Sequence, residues 1–556
     1  MTAVAEAVAS QLAAAGVRRG YTVPGESFLP LLDAFDRHPD LRLISTRHES
    51  GAAFMAEADA KLTGVPAVAM ATRAVGAANL AIGVHTAYQD STPMIVLLGQ
   101  VETSYLGREA FQEVDLPAFY GQITKWSATA PTKARIPELV ARALQVAVSG
   151  RPGPVMIALP SDLLEGDLDG DDRWWPGSGS RPSPPISGAL ATTVARALLD
   201  AELPVVIAGG GAQRARRELI ALAEAFGAGV YASFRRQDVF PNDHPNYLGH
   251  LTIGTAPETL EALSSADLVV VLGARLSEVT TQRYRLPRPD QKTIQIDVEP
   301  VMVGSVLPVS IGIVADVAAA LSAILDERPS APPGARWERY HQSYLATSNP
   351  LTDHQTANHQ AQGLEPLHPA GVMAAINEVF SPATIVTNDA GNFSAFAHRY
   401  RRFTEPGTQL GPTSGAMGYG VPAAVAAKLA APDRQVLALA GDGGFLMTGQ
   451  ELEVAVRHGL PLTIVVFRNG LYGTIALHQA RMLGRIAGVD IGAVDIAAVA
   501  RGYGASAWTA TSPHQLVPAL IEARDCGGPA VVDVIVDPDV LTPGVRLSTL
   551  LDSFGT

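Results

Sequence analysis

The feature that most constrains this 556-residue chain is a series of short, largely apolar runs in three groups. The first group holds Leu41 to Ser45, Ala67 to Ala71, Met94 to Leu98 and Val155 to Leu159. The second holds Val205 to Ala208, Gly229 to Ala232, Leu268 to Leu272 and Thr293 to Val298. The third holds Ala383 to Thr387, Val436 to Ala440, Leu462 to Phe467 and Ala530 to Val536. Most lack the in/out alternation of a half-solvated strand, and helical patterns separate them. Strands of that kind belong to parallel sheets covered on both faces. The runs fall far short of the roughly 20 residues that span a bilayer. Met1 to Gly16 lacks a basic start and reads as an amphipathic helix, not a signal peptide.

Two stretches read as domain connections. One runs from about Glu165 to Ser187 and contains GDLDGDDRWWPGSGSRPSPP; the other runs from about Glu327 to Glu365 and contains RPSAPPG followed by a His- and Gln-rich segment. Loops of that length are uncommon inside one compact domain. Length alone allows three or four domains at about 150 residues each; the connections select three. The expectation is therefore α/β, with three doubly wound parallel-sheet domains at 1–165, 188–327 and 366–545. With 47% hydrophobic and 17% charged residues, disorder is excluded. The net charge of −13 argues against nucleic acid or an anionic membrane as the main partner. A single cysteine, Cys526, rules out an internal disulfide framework or a Cys-cluster metal site. A cytoplasmic protein is expected.

In open α/β sheets ligands bind at the carboxyl ends of the strands. After Val436 to Ala440 comes Gly441-Asp442-Gly443-Gly444, and just past Leu462 to Phe467 stands Asn469, followed by Gly470, Leu471 and Tyr472. Asp442 offers a hard anionic oxygen, Asn469 a neutral one, and a backbone carbonyl in the next turn a third. That is a donor set for Mg²⁺, which shares its coordination with a phosphate. The glycines let backbone N–H groups approach a diphosphate. Gly-Asp-Gly alone is a common turn; the two strand ends together are far more specific.

This pairing resembles the metal–diphosphate signature of thiamine diphosphate enzymes. The chain is similar to that family nearly end to end, most of all to its acetolactate synthase-like group. Arg47-His48-Glu49 with Ser50-Gly51-Ala52-Ala53 resembles the block of the cofactor-activating glutamate. Ala110-Phe111-Gln112-Glu113, Ile123-Thr124-Lys125 and Gly150-Arg151-Pro152-Gly153-Pro154-Val155 are similar to further synthase blocks. So are Gly273-Ala274-Arg275-Leu276 and Ile296-Asp297 in the middle, and Gly415-Ala416-Met417-Gly418-Tyr419-Gly420 near the end.

The resemblance implies thiamine diphosphate and Mg²⁺ as cofactors. It implies that Glu49 hydrogen-bonds the pyrimidine N1′, that Met417 props the cofactor in a V shape, and that the Gly415 carbonyl accepts from its 4′-amino group. Asp442, Asn469 and the Leu471 carbonyl would hold the metal. Gly441, Gly443, Gly444, Gly391, Asn392 and Asn79 would bind the cofactor, while Gln112, Phe111 and Glu26 would face the substrate. His48 is given a packing or positioning role only. The implied reaction is decarboxylation of a 2-oxo acid with ligation to a second carbonyl compound. A non-ligating decarboxylase or another thiamine-dependent C–C lyase stays open, as does a catalytically silent nucleotide-binding or regulatory homologue. The working unit would be a homodimer or homotetramer whose active site closes across subunits.

Some positions depart from the synthase pattern. Glu26 stands where a small residue is usual, Arg468 replaces the first of two asparagines, and His478 replaces a tryptophan. Phe393 replaces a histidine, so one phosphate contact is expected to be missing. The turn Ala208-Gly209-Gly210-Gly211, with Arg275 and Asp297, leaves FAD open as a further cofactor, although Tyr247 to Thr255 diverges from the flavin-contacting form.

Overall fold

A computed structural model describes residues 2–168, 182–329, 336–351 and 366–553. Three six-stranded parallel sheets follow one another along the chain, each covered by helices. The first contains β1 (Arg19–Thr22), β2 (Arg42–Ser45), β3 (Ala67–Thr72), β4 (Met94–Gln100), β5 (Trp126–Thr129) and β6 (Pro154–Pro160), in the order β2-β1-β3-β4-β6-β5. The second contains β7 (Pro204–Ala208), β8 (Gly229–Ala232), β9 (Tyr247–His250), β10 (Leu268–Leu272), β11 (Lys292–Asp297) and β12 (Ile311–Val314), in the order β12-β11-β10-β7-β8-β9. The third contains β13 (Ile385–Asn388), β14 (Gln409–Leu410), β15 (Val436–Gly441), β16 (Thr463–Arg468), β17 (Ser506–Ala510) and β18 (Ala530–Ile535), in the order β14-β13-β15-β16-β18-β17. The expected α/β class with three doubly wound sheets is what the chain forms.

Every apolar run named from the sequence is a strand. Six strands of these three sheets were not marked by such a run: β1, β5, β9, β12, β14 and β17. All but β1 lie at a sheet edge, where a strand has one neighbour and a shorter or more polar sequence suffices. β1 is internal but reads Arg-Gly-Tyr-Thr. Its charge is neutralised on the spot, because Arg19 grips Asp59 through two hydrogen bonds of 2.5 and 2.8 Å.

The second connecting stretch is only partly a connection. Glu338–Thr347 is a helix on the central sheet, with His341 and Tyr344 buried. Just before it, Trp337 donates its ring N–H to the Gly227 carbonyl at 2.8 Å. Trp337, His341 and Tyr344 recur at helical spacing, which the polar composition of the stretch hid. The remaining linker residues 169–181, 330–335 and 352–365 lie outside the described residues. Among the described residues no helix is long and apolar enough to cross a membrane.

The first and third sheets share one hydrophobic core. The helix Glu49–Thr63 packs against the helix Gly420–Ala430, with Phe54 edge-on to Tyr419 at 5.6 Å between ring centroids. The Tyr419 hydroxyl donates to Glu57 at 2.5 Å. Nearby, Asp90 accepts from Lys61 of its own domain, from Arg236 of the central domain and from the Thr413 N–H of the third. Burial alone would raise the Asp90 pKa, but Lys61 and Arg236 hold it down at about 2.

Candidate active site

The carboxyl ends of β13, β15 and β16, which are neighbours in the third sheet, gather one group of predicted residues. Asp442 opens the helix Asp442–Thr448 directly after β15 and is buried. One carboxylate oxygen accepts from the Gly443 N–H at 2.9 Å and the other from the Gly470 N–H at 2.7 Å, which ties the two loops together. Burial raises the Asp442 pKa against those hydrogen bonds. Asn469 turns its side-chain oxygen to the Leu471 N–H at 3.1 Å. The Leu471 carbonyl accepts from Gly473 at 2.8 Å and keeps a second lone pair. No group of three or more His, Cys, Asp or Glu side chains fit to hold a metal occurs among the described residues.

Asn392 reaches the same place from β13. Its side-chain oxygen accepts from Thr474 at 2.8 Å, while its amide nitrogen is buried with no partner. A Cβ added at Gly473 would lie 3.2 Å from that nitrogen and 3.4 Å from the side-chain nitrogen of Asn469. An orphaned buried donor is costly unless a ligand accepts from it. A diphosphate is such an acceptor, so these residues fit the group. A cleft of about 330 Å³ opens here, lined by Asp442, Leu446, Arg468, Asn469, Gly470 and Ile491. Glycine is required just past Asp442: a Cβ at Gly443 would sit 2.9 Å from Tyr472, and one at Gly444 would overlap the Asp389 carboxylate.

Two departures from the synthase pattern resolve into packing. Arg468 makes a two-point pair with the fully buried Asp533 of β18, both bonds 2.9 Å. Phe393 stacks on Phe467 at 5.4 Å and offers no donor to the cleft.

The Gly415–Gly420 loop is fixed to this framework. The Gly418 N–H donates to Asp389 at 2.7 Å, and the Gly418 carbonyl accepts from Thr448 at 2.6 Å. Burial pushes Asp389 up to about 7 against its backbone donors. Gly415 is exposed, with φ +71, and Met417 is half-buried.

Glu49 lies in the first domain. It opens the helix Glu49–Thr63, whose start is capped by His48, with Nδ1 accepting from the Ser50 N–H at 3.1 Å. One Glu49 oxygen accepts from Asn79 at 2.9 Å, and the other lies 3.3 Å from where a Cβ at Gly76 would stand. Glu49 is half-buried, less shielded than its implied role calls for. Phe111 is 74% exposed. Gln112 has φ +63 and a buried side-chain oxygen without a partner. Glu26 is an exposed side chain beside Arg73. His478 is exposed on the helix Gly473–Leu483.

Several supporting residues carried no signal in the sequence. Glu451 is fully buried and accepts from the N–H groups of Arg47 and His48 at 3.0–3.2 Å. A Cβ at Gly51 would collide with it. The Arg47–Gly51 block is thereby docked on the third domain. Asp389, two residues before Gly391, and Thr474, which bonds Asn392, carry no such signal either.

The central sheet borders a separate cavity of about 530 Å³, lined by Gly210, Gly211, Arg275 and Asp297 together with Lys61 and Arg151 of the first domain. Arg275 donates to the backbone and side-chain oxygens of Gln89 at 2.5 and 2.9 Å.

Comparison with known proteins agrees with this architecture. Three family models match in order: "Thiamine pyrophosphate enzyme, N-terminal TPP binding domain" over residues 2–119, "central domain" over 191–324 and "C-terminal TPP binding domain" over 389–534. A probable acetolactate synthase large subunit of Methanocaldococcus jannaschii is 32% identical, over 98% of this chain and 95% of its own. The acetolactate synthase large subunit of Corynebacterium glutamicum is 30% identical, over 93% and 84%. The acetolactate synthase isozyme 1 large subunit of Escherichia coli is 30% identical, over 96% and 94%. With a relative above 30% identity along nearly its whole length and three domain models in the right order, the chain belongs to the thiamine pyrophosphate enzyme family.

Proposed function

We propose that the protein is a thiamine diphosphate- and Mg²⁺-dependent enzyme that decarboxylates a 2-oxo acid and joins the remnant to a second carbonyl compound. The observation that carries this reading is the orphaned Asn392 donor, which meets Asn469 across Gly473 beside the cleft lined by Asp442 and Asn469. When bound, the cofactor supplies a nucleophilic carbon and a sink for the electrons released with CO₂. Asp442, Asn469 and the Leu471 carbonyl hold the metal. Gly391, Asn392, Gly441, Gly443 and Gly444 orient the diphosphate, and Gly415 and Met417 set the face of the pyrimidine. Glu49, braced by Asn79, shares a proton with the pyrimidine N1′. Phe111 and Gln112 exclude water from the substrate side, and Glu26 stands at its rim.

The reading includes a second copy of the chain. Glu49 bonds to Asn79 within the first domain, and Gly418 of the cofactor loop bonds to Asp389 and Thr448 within the third. Exposed apolar side chains flank both places: Val75, Ile82, Phe111 and Phe119 around the first, and Leu446, Met447, Ile475 and Met482 around the second. Such surfaces mark contacts between proteins. We read them as the faces that bring Glu49 of one copy to the metal cleft of another, in a dimer or larger assembly. The domain limits 1–165, 188–327 and 366–545 belong to the same proposal.

The test is incubation with thiamine diphosphate, Mg²⁺ and a panel of 2-oxo acids, following CO₂ and ligated products together. Ligated product is expected; aldehyde alone would convert the reading to a plain decarboxylase. No turnover of any 2-oxo acid would leave a silent homologue. Glu26→Gln should change the aldehyde-to-ligated ratio from pyruvate, and an unchanged ratio and rate would remove Glu26 from the substrate pocket. The central cavity is read as a nucleotide site. A flavin absorbance spectrum in the purified protein would identify FAD; a colourless protein that binds a nucleotide would limit the site to one without flavin.

A further inference from the structure

Arg73 opens the helix Arg73–Asp90 with φ +40, a left-handed conformation that costs any residue with a Cβ. The next N–H, that of Ala74, donates at 3.1 Å to the carbonyl of Gln112, itself at φ +63. Two strained residues are thus clasped together. Gly76, against which Glu49 packs, comes one turn later on the same helix face, about 5 Å along the axis. Arg73 therefore stands beside the catalytic face without touching Glu49's partners.

Its guanidinium is unusual in what it lacks. The side chain is 17% exposed, yet among the described residues only one of its nitrogens is engaged. Nη1 makes two long contacts, 3.4 Å to the Phe111 carbonyl and 3.5 Å to Glu26. Nε is buried with no partner, and so is the side-chain oxygen of Gln112. A guanidinium is a planar fork suited to two-point capture of a carboxylate or phosphonate. Glu26, its side chain 61% exposed, gives only a loose single contact, and a pair of that kind adds little stability. A strained backbone, a half-satisfied cation and a weak, displaceable counter-ion at one edge of the site make poor scaffolding and a good anion receptor.

We infer that Arg73 is a specificity-determining residue that binds a second anionic group of the substrate, a carboxylate or phosphonate at the end remote from the reacting carbonyl. Glu26 is its counter-ion in the free enzyme and gives way when that group arrives. The substrate class is a 2-oxo acid or carbonyl acceptor with an acidic tail. The inference rests on the proposed function for where the reacting carbonyl lies.

The test is calorimetric titration of the full chain loaded with thiamine diphosphate and Mg²⁺. The probes are succinate, 3-phosphonopropionate and butyrate, none of which carries a reacting carbonyl. Wild type should bind succinate at least about tenfold more tightly than butyrate, the size of one charge-assisted contact. Arg73→Gln should erase that preference, Arg73→Lys restore part of it, and Glu26→Gln strengthen succinate binding several-fold. The stronger of succinate and phosphonopropionate names the tail. If Arg73 only ties the 107–113 loop to the helix, Arg73→Gln will weaken all three probes in parallel and Glu26→Gln will do nothing. Either result overturns the inference, as does a wild type that binds succinate no better than butyrate. Should Arg73→Gln fail to fold, Arg73→Lys and Glu26→Gln still decide, because only an anion receptor moves in opposite directions in the two. Succinate selectivity that depends on Arg73, without turnover of any 2-oxo acid, would sink the proposed function alone. Turnover without that selectivity would sink this inference alone.

Discussion

The cleft at the third sheet and the face around Glu49 are built in opposite ways. At and beside the cleft polar groups are already oriented: both oxygens of Asp442 are hydrogen-bonded, and Asn392, next to Asn469 across Gly473, holds a donor ready. Around Glu49 one carboxylate is steadied by a single amide, amid exposed Val75, Ile82 and Phe111. Under the proposed function a metal and a diphosphate would be met by fixed oxygens and N–H groups, a site that one chain supplies. The proton-sharing role proposed for Glu49 would need a cover from water, and one chain leaves the carboxyl half-buried.

This contrast can be broken by experiment. Glu49→Gln should lower thiamine-dependent turnover by about 10²–10⁴-fold while cofactor binding persists, because only the proton-sharing group is lost. Fluorescence quenching by the cofactor, measured beside initial rates, separates the two effects. Asp442→Ala should do the reverse, weakening Mg²⁺-dependent cofactor binding by roughly a hundredfold, at or above the upper end of what loss of a supporting metal contact costs. Equal damage to binding in both variants would erase the distinction between the halves.

The joint between them is pH-sensitive. Burial pushes Glu451 up to about 7 from its ordinary 4.5, against the N–H groups of Arg47 and His48. Between those values the folded chain holds a proton that the unfolded chain has released. This contribution to stability is therefore greatest below about 4.5 and is lost as pH rises to about 7, on the order of 3 kcal/mol at most. Glu451→Gln should flatten that part of the curve of unfolding free energy against pH; a slope identical to wild type would show that Glu451 stays ionised. Gly51→Ala should have a smaller effect, costing about 1–3 kcal/mol as its methyl displaces Glu451, with a matching fall in melting temperature.

Strands buried on both faces announce themselves as apolar runs, which is why every run read from the sequence forms a strand. Edge strands such as β12 and β17 do not, since solvent on one side relaxes the composition. The chemistry divides similarly. Asp442 and Asn469 are legible because they follow strands and the glycines around them are demanded by contact. Glu451 is not, because its partners Arg47 and His48 lie some 400 positions away in the chain. Arg73 was silent because its meaning lies in a backbone angle and an unfilled fork, neither of which composition records. The Trp337–Tyr344 helix was obscured by the polar residues between its buried ones.

The knot at Asp90 has a consequence for how such chains can change. Lys61 and Asp90 come from one domain, Arg236 from the next and Thr413 from the third, and they meet around a carboxylate that is itself buried. A chimaera that imports a central domain without an equivalent of Arg236 would leave a carboxylate short of its cation at the meeting point of all three. The three domains resemble interchangeable modules in outline, yet at this point they can be inherited or engineered only as a set.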